Sequence, residues 1–378
     1  MFGSLSPGEF LERFWQRAPG WFPAAMPGFR PPITPDELAG LACEEEVESR
    51  LVIGNVATRF RLEHGPFEED RFGGLPRRDW TLLVQDVDKH VPEVARLLEP
   101  FRFLPDWRID DIMVSFAAPG GSVGPHTDQY DVFLLQAQGR RRWQLSERFA
   151  PTLRSDCDIK VLERFEPERE LIAEPGDILY LPPNVAHFGL ALDEAMTFSI
   201  GFRAPDQREL SGALARELAT DARLGERFTD AGRAVASDAT ELAAGDLARL
   251  RDLLRRGLAP SDAELDTFIG RYLTRSKHNL ELPGEPTSAE QVRRRLERGE
   301  RLVRRVGSRW TWFLRDAELC VFAEGHEQRL EPSQRGWLEP LLAHTPLDLE
   351  RFGADPPLAG LVLWLERGAL EWHEDDGD

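Results

Sequence analysis

Cysteine is scarce in this sequence, and long hydrophobic runs are absent from it. The three cysteines, Cys43, Cys157 and Cys320, show no paired spacing. Their pattern excludes a disulfide framework and a CxxC zinc site, and it is typical of a reducing cytoplasm. No apolar run reaches the roughly 18 residues that span a bilayer, and the first residues lack the basic start and apolar block of a secretory signal. We therefore expect a cytoplasmic protein with no membrane contact.

Positive charge is also scarce relative to negative charge. The 378 residues include 47 Lys and Arg against 66 Asp and Glu, a formal net charge of −19. Such a surface opposes loose binding to nucleic acid and favours a basic partner. Hydrophobic residues make up 41% of the chain, which is enough core material for two or three globular domains.

The first region, residues 1–205, predicts a β-rich domain. It contains short runs of branched and aromatic residues separated by turns, a spacing typical of a sandwich or barrel. The predicted strands lie at 111–118, 131–137, 140–145, 177–181 and 196–202.

The second region, residues 206–275, changes to a helical period. Leu210, Leu214 and Leu218 recur every four residues, and Ser261 with Glu264 forms a capping-box pattern. The apolar stripes of these helices must be buried, so we expect this region to form a homodimer.

The third region, residues 276–378, predicts a winged-helix-like domain. Ser288 and Gln291 begin a predicted helix, and alternating apolar residues then indicate a hairpin. Residues 291–309 hold eight Arg against two Glu, which indicates either nucleic-acid contact or a solvated face with ion pairs. Because residues 277–378 carry 14 basic and 20 acidic residues, we favour ion pairs and expect no direct nucleic-acid binding.

The stretch GPHTDQYDVF, residues 124–133, contains a candidate metal site. Side chains two residues apart share one face of a strand, so His126 and Asp128 can bind the same ion. A third ligand, His187, ends the stretch EPGDILYLPPNVAH. An HxD pair is common by chance, and a lone histidine is usually structural. Together, however, two His and one carboxylate leave open positions on a metal, which suits non-haem Fe(II).

The arginine cluster GRRRW supplies a second element of this site. Its middle member, Arg141, lies fifteen residues after His126 on the next predicted strand. Because side chains alternate along a strand, Arg140 and Arg142 point to the opposite face. An inward arginine requires an anion, either a protein carboxylate in a buried ion pair or the carboxylate of a bound co-substrate.

These motifs together resemble a known family. The run from LPDWRIDDIMVSFAAPGGSVGPHTDQYDVF through GRRRW to EPGDILYLPPNVAH and SIGFRAP resembles the JmjC-type ribosomal oxygenases. It is most similar to the bacterial enzymes that hydroxylate an arginine of a large-subunit ribosomal protein. The likeness is close over residues 1–205 and looser beyond them.

The resemblance implies a fold and a set of cofactors. The fold class is α+β: a double-stranded β-helix (the cupin or JmjC jelly roll) over 1–205, a helical dimerisation region and a winged-helix-like C-terminal domain. His126, Asp128 and His187 would bind Fe(II), with 2-oxoglutarate and O₂ as co-substrates. Arg141 would pair with the distal carboxylate of 2-oxoglutarate. Ser115 and Ser199 occupy inward strand positions from which a hydroxyl would assist.

The resemblance also implies a pocket for an arginine side chain. Asp111, Met113 and Ser115 share one face of a predicted strand, and Tyr130 lies two residues beyond Asp128. A carboxylate beside an aromatic ring and a thioether would bind a guanidinium and its aliphatic stem. The alternatives are a solvated acid at a strand end for Asp111 and a core aromatic for Tyr130.

We therefore predict an oxygenase that hydroxylates an arginine of a basic large-subunit ribosomal protein. One alternative is another 2-oxoglutarate oxygenase activity, namely lysyl or histidyl hydroxylation or N-methyl demethylation. A second alternative is a non-catalytic, metal-bound cupin that regulates through its C-terminal module.

Overall fold

The structure is a computed structural model that describes residues 5–203, 205–221, 224–229, 231, 242, 244–275, 284, 286–352 and 356–373. In these residues no helix combines the length and the apolar character that a membrane span needs. Residues 276–283, at the start of the predicted winged-helix-like region, fall outside the described residues, as do parts of the predicted helical region.

The β-rich region folds into twelve strands and five helices. The strands are β1 (Gly20–Phe22), β2 (Ser49–Ile53), β3 (Arg61–His64), β4 (Trp80–Val84), β5 (Ile109–Ala117), β6 (His126–Thr127), β7 (Asp131–Gln138), β8 (Arg141–Ser146), β9 (Arg169–Ala173), β10 (Ile178–Leu181), β11 (Ala186–Ala191) and β12 (Ala195–Phe202). The helices are α1 (Pro7–Arg13), α2 (Pro35–Leu41), α3 (Glu69–Gly73), α4 (Val87–His90) and α5 (Pro92–Ala95). All five predicted strands are confirmed to within two residues at each end.

Two antiparallel sheets face each other across a lumen, as the resemblance to a jelly roll implies. The large sheet has the strand order β1-β10-β7-β12-β5-β4-β2-β3, and the small sheet has the order β6-β11-β8-β9. Alternation along β7 divides the apolar residues between two cores. Phe133 and Leu135 pack with the N-terminal helices, whereas Val132 and Leu134 face Trp143 of the small sheet. The lumen between the sheets is therefore where inward polar side chains converge.

The middle region contains three described helices: α6 (Gln207–Ala219), α7 (Ala244–Gly257) and α8 (Asp262–Thr274). The predicted capping box is confirmed, because the Ser261 hydroxyl accepts a hydrogen bond from the Glu264 amide. Helix α8 packs on the C-terminal sheet, where a side chain at Gly270 would collide with the Phe322 ring. Leu214 and Leu218 are partly buried within the chain.

The C-terminal region is a helix-and-hairpin domain with its own apolar core. Its elements are α9 (Ala289–Glu297), β13 (Leu302–Arg304), β14 (Trp310–Arg315), β15 (Glu318–Ala323), β16 (His326–Leu330), α10 (Arg335–Leu342), α11 (Leu349–Phe352), α12 (Leu358–Glu366) and β17 (Leu370–Trp372). The predicted helix start at Ser288 and the hairpin of β14 and β15 are confirmed.

Ion pairs engage much of the arginine-rich stretch 291–309, as the charge balance predicts. Arginines 294, 295 and 305 pair with glutamates of the same domain. Arg304 and Arg309 instead reach the first domain, where their guanidinium groups bind Asp106 at 3.1 Å and Asp110 at 3.0 Å. The last two pairs join the C-terminal domain to the β-rich domain.

Candidate active site

Three predicted metal ligands converge at the open end of the lumen. The ligand atoms of His126, Asp128 and His187 lie within 4.8 Å of one another. Strand pairing accounts for the histidines, because β6 places His126 directly opposite His187 on β11. The Oδ2 atom of Asp128 lies 3.9 Å from Nε2 of His126 and 3.5 Å from Nε2 of His187.

Backbone carbonyls orient both imidazole rings toward this point. Nδ1 of His126 lies 2.9 Å from the carbonyl oxygen of Gly124, and Nδ1 of His187 lies 3.0 Å from that of Val185. A ring that donates from Nδ1 presents the lone pair of Nε2, the form that binds a metal. Burial and the neighbouring His126 lower the pKa of His187 to about 4, so this ring is neutral at physiological pH. Two imidazoles and one carboxylate on one side of an ion fit Fe(II) with open positions.

Strand alternation predicts His126 and Asp128 on one face of a strand, and this explanation of their meeting is only partly correct. Strand β6 ends at Thr127, so Asp128 and Tyr130 lie beyond it and strand alternation does not apply to them. The turn, closed by a hydrogen bond from the Asn184 amide to the Asp128 carbonyl at 2.8 Å, brings the carboxylate to the histidines instead. The residues meet as expected, but through a turn rather than along a strand.

Arg141 is a buried cation in the lumen, and it lacks a carboxylate partner among the described residues. It is 5% exposed, and its Nε and Nη2 atoms have no hydrogen-bond partner in the described part of the chain. Burial lowers its pKa to about 10, so the group is still charged at neutral pH. The guanidinium lies 5.7 Å from the Trp143 ring centre. Such an orphaned guanidinium fits the carboxylate of a bound ligand.

The alternation predicted for the arginine cluster agrees with the structure. Arg140 lies in the turn before β8 and pairs with Asp193 at the surface, at 2.9 Å. Arg142 is partly exposed, while Arg141 and Trp143 are buried. Only the middle arginine of the three points into the lumen.

The two predicted serines face the same lumen from the large sheet. Ser115 lies opposite Thr197, and Ser199 lies opposite Met113, where β5 pairs with β12. Both are buried, and the Ser115 hydroxyl donates a 3.4 Å hydrogen bond to the Thr197 carbonyl. Each hydroxyl is therefore available near the lumen, and their contact with a co-substrate stays a prediction.

Asp111 is a buried acid on the lumen face of β5, not a solvated acid at a strand end. Its Oδ2 atom accepts hydrogen bonds from Gln85 Nε2 at 2.8 Å and from the Asp86 amide at 3.1 Å. Its Oδ1 atom lies beside Gly201, where an added Cβ would come within 3.4 Å. Burial and the charges of Asp86 and Asp88 raise the pKa of Asp111 to about 7. An incoming cation would favour the ionised form of this carboxyl.

Met113 and Tyr130 complete the predicted pocket. Met113 lies two residues along β5 from Asp111 on the same face. Tyr130 is 42% exposed, so it is not a core aromatic. Burial of its hydroxyl, with the charges of Asp128 and Asp111, raises its pKa. The charges of Asp128 and Asp111 thus both act on this hydroxyl, and its contact with a substrate stays a prediction.

Comparisons with known proteins now bear on this geometry. The sequence matches the JmjC domain family over residues 96–210 and the ROXA-like winged helix family over residues 249–371. It is 38% identical to the ribosomal protein uL16 3-hydroxylase of Escherichia coli, with 98% of each chain covered. The chain belongs to the JmjC ribosomal oxygenase family.

One further relative of this oxygenase and one solved structure extend the comparison. A probable ribosomal oxygenase of Haemophilus influenzae is 33% identical over 78% of this chain and 75% of its own. The structure of the Escherichia coli ribosomal oxygenase YcfD in complex with cobalt and 2-oxoglutarate has a TM-score of 0.81 at 36% identity, covering 98% of this chain and 99% of YcfD.

Sequence reasoning missed the groups that hold Asp111 in this oxygenase. Gln85 and Asp86 follow β4, and the side chain of Arg309 comes from the C-terminal domain to the adjacent Asp110. No local motif marks these residues, because they meet Asp111 and Asp110 only through the tertiary fold. The position of Trp143 beside Arg141 and His187 could have been predicted, because Trp143 is the last residue of the GRRRW cluster.

The first prediction concerns the metal ligands. Asp128→Ala should abolish Fe(II) or Co(II) binding while the fold survives, because packing of the two sheets does not depend on this half-exposed turn. Metal stoichiometry and thermal unfolding measure the two effects, with Asp193→Ala as the surface control. Retention of stoichiometric metal by Asp128→Ala would contradict the assignment.

The second prediction concerns Arg141. Arg141→Ala should raise the KM for 2-oxoglutarate steeply, since breaking a buried carboxylate pair typically costs about 3–5 kcal/mol. Arg140→Ala removes an exposed pair and should change that KM by less than about fivefold. Steady-state kinetics at varied 2-oxoglutarate measure both. Equal effects of the two substitutions would mean that Arg141 does not bind the co-substrate.

Proposed function

We propose that this protein is an Fe(II)- and 2-oxoglutarate-dependent oxygenase that hydroxylates an arginine side chain of the large-subunit ribosomal protein uL16. One observation carries the proposal: an open His-Asp-His triad shares the lumen with the unpartnered guanidinium of Arg141. The E. coli relative, which this chain matches over its full length, is a uL16 3-hydroxylase.

Different residues of the chain bind the metal and the co-substrate. His126, Asp128 and His187 hold the metal from one side, and Arg141 orients 2-oxoglutarate through its distal carboxylate, with Ser115 and Ser199 as further donors. Fe(II) bound there would supply dioxygen activation coupled to decarboxylation of 2-oxoglutarate. The apolar lining of the lumen, including Leu134 and Trp143, excludes water from the reacting groups.

The pocket beside the triad suits an arginine side chain. Asp111 offers Oδ1 to a guanidinium while Oδ2 stays engaged by Gln85 and Asp86. Met113 and Tyr130 would flank the aliphatic stem, so a side-chain methylene would face the metal. Asp111 is buried, so a substrate without a positive charge would leave its Oδ1 atom without a partner. The site therefore favours a cationic substrate.

The alternatives receive less support from the same site. A demethylase would hold a methylated cation in an aromatic cage, whereas Asp111 provides a hydrogen-bonding carboxylate. A regulator that reads DNA would present free arginines, whereas arginines 294, 295, 304, 305 and 309 are paired with carboxylates. A net charge of −19 also favours a basic protein as partner. A ribosomal substrate implies a cytoplasmic enzyme.

The third prediction tests the substrate. A uL16 peptide that carries the target arginine should gain one oxygen when incubated with the enzyme, Fe(II), 2-oxoglutarate and air. The matched Arg→Lys peptide should react poorly, because lysine does not reproduce the planar fork of donors. Mass spectrometry of both peptides measures the outcome. Equal reaction of the two peptides, or loss of a methyl group, would overturn arginine hydroxylation.

We further propose that the protein is a homodimer formed through the middle region, with domains divided at about 205 and 275. Helix α7 exposes an apolar stripe at intervals of three and four residues. Leucines 247, 250 and 254 of this helix, and Leu258 directly after it, are 40%, 40%, 61% and 59% exposed. A stripe of this size on a helix requires a partner surface, and a second copy of the chain supplies one.

The fourth prediction tests this dimer. Leu250→Asp combined with Leu254→Asp should halve the molecular mass measured by light scattering, because charges would then occupy the buried stripe. Arg251→Asp, on the same helix, is the control and should leave the mass unchanged. A wild-type protein that is already monomeric would refute the proposed dimer.

A further inference from the structure

The strand that carries Asp111 loses its regular hydrogen-bond ladder at this residue. Pairing of β4 with β5 ends at Val84 opposite Val114. On the other side, the register of β12 with β5 shifts between Ile200 and Phe202. Residues 110 and 111 therefore lie at an irregularity, and groups outside the ladder must hold this end of the strand.

Side chains and a backbone amide from outside the ladder contact this segment. Asp88 Oδ1 accepts a hydrogen bond from the Ile112 amide at 2.7 Å. Gln85 and the Asp86 amide donate to Asp111, as described above. Nη2 of Arg309 donates to both the carbonyl oxygen and Oδ1 of Asp110, at 3.2 and 3.0 Å. Only the last of these comes from the C-terminal domain.

Arg309 is itself firmly placed. Its side chain is 10% exposed, and its backbone amide donates to Glu324 Oε1 at 2.6 Å. The preceding turn packs closely on the first domain, since an added Cβ at Gly307 would collide with Lys89. Burial lowers the pKa of Arg309, while the charges of Asp86, Glu324, Asp111 and Asp88 act in the opposite direction. The guanidinium thus faces the same acidic cluster that surrounds Asp111.

We propose that the C-terminal domain completes the arginine-binding site, with Arg309 as a positioning residue that holds Asp111 in place through Asp110. The proposal rests on the proposed function, because it assigns Asp111 to the substrate guanidinium. It gives the winged-helix-like domain a part in substrate binding that needs no nucleic acid.

Removal of Arg309 has a defined consequence for Asp111. Asp110 would lose the hydrogen bonds that Arg309 donates to its carbonyl oxygen and its carboxylate, while Nε of Arg203 stays 3.9 Å from its Oδ1 atom. The irregular end of β5 would then be held less tightly. The carboxylates of Asp86, Asp88, Asp110 and Asp111 would also lose a nearby cation, which favours a proton on Asp111. A displaced or protonated Asp111 is a poorer acceptor for a guanidinium. The metal ligands and Arg141 lie on other elements, and Ser115 lies where β5 pairs regularly with β4 and β12. Binding of the peptide is therefore the step that should suffer.

The experiment compares three full-length variants with the wild type, using the uL16 arginine peptide at saturating Fe(II) and 2-oxoglutarate. Arg309→Met should raise the peptide KM about tenfold, within the coupling seen between members of one ion-pair network. Its kcat and its KM for 2-oxoglutarate should stay within about twofold. Arg309→Lys should recover most of the peptide affinity. Arg305→Met, which removes a partly exposed pair with Glu371, should match the wild type.

The outcomes separate this inference from the proposed function. A wild type that leaves the peptide unmodified overturns the proposed function. An active wild type with an unchanged peptide KM in Arg309→Met overturns only this inference, as does an equal loss of 2-oxoglutarate affinity or a failure of Arg309→Lys to recover. If Arg309→Met does not fold, Asp110→Asn breaks the same pair from the other side. It should raise the peptide KM in the same way, because the released guanidinium competes for Asp111.

Discussion

The desolvation of charge between the two sheets governs the chemistry of this protein. A guanidinium buried at 5% exposure without a carboxylate partner among the described residues is costly. The Trp143 ring lies beside the guanidinium of Arg141 without neutralising it. Under the proposed function, the carboxylate of 2-oxoglutarate would offset this cost, and stability forgone in the free enzyme would appear as affinity for the co-substrate.

Burial also affects a negatively charged group, at the other side of the lumen. Asp111 is a buried carboxyl near other carboxyls, and burial together with the charges of Asp86 and Asp88 raises its pKa to about 7. Under the proposed function, a substrate guanidinium would offset the charge of Asp111, as the carboxylate of 2-oxoglutarate would offset that of Arg141.

Ion pairs join the C-terminal domain to this arrangement. Arg304 and Arg309 bind Asp106 and Asp110 of the first domain, whereas Arg294, Arg295 and Arg305 pair with glutamates of their own domain. Asp106 and Asp110 lie at the start of β5, the strand that places Asp111, Met113 and Ser115 at the lumen. A domain whose fold resembles a nucleic-acid reader can in this way contribute to an enzyme pocket.

The sequence by itself determined what depends on short-range pattern. The strand that carries Arg141 and the inward direction of its side chain follow from neighbours a few residues apart. The same is true of the capping boxes at Ser6, Thr34, Asp206 and Ser261. Local pattern did not predict β11, the strand that carries His187. Only the tertiary structure decided what depends on residues far apart in the chain. The turn that brings Asp128 to the histidines is closed by Asn184, and the groups that hold Asp111 and Asp110 are Gln85, Asp86 and Arg309. Their contacts form when sheets and domains pack, because burial and long-range pairing, not local periodicity, select them.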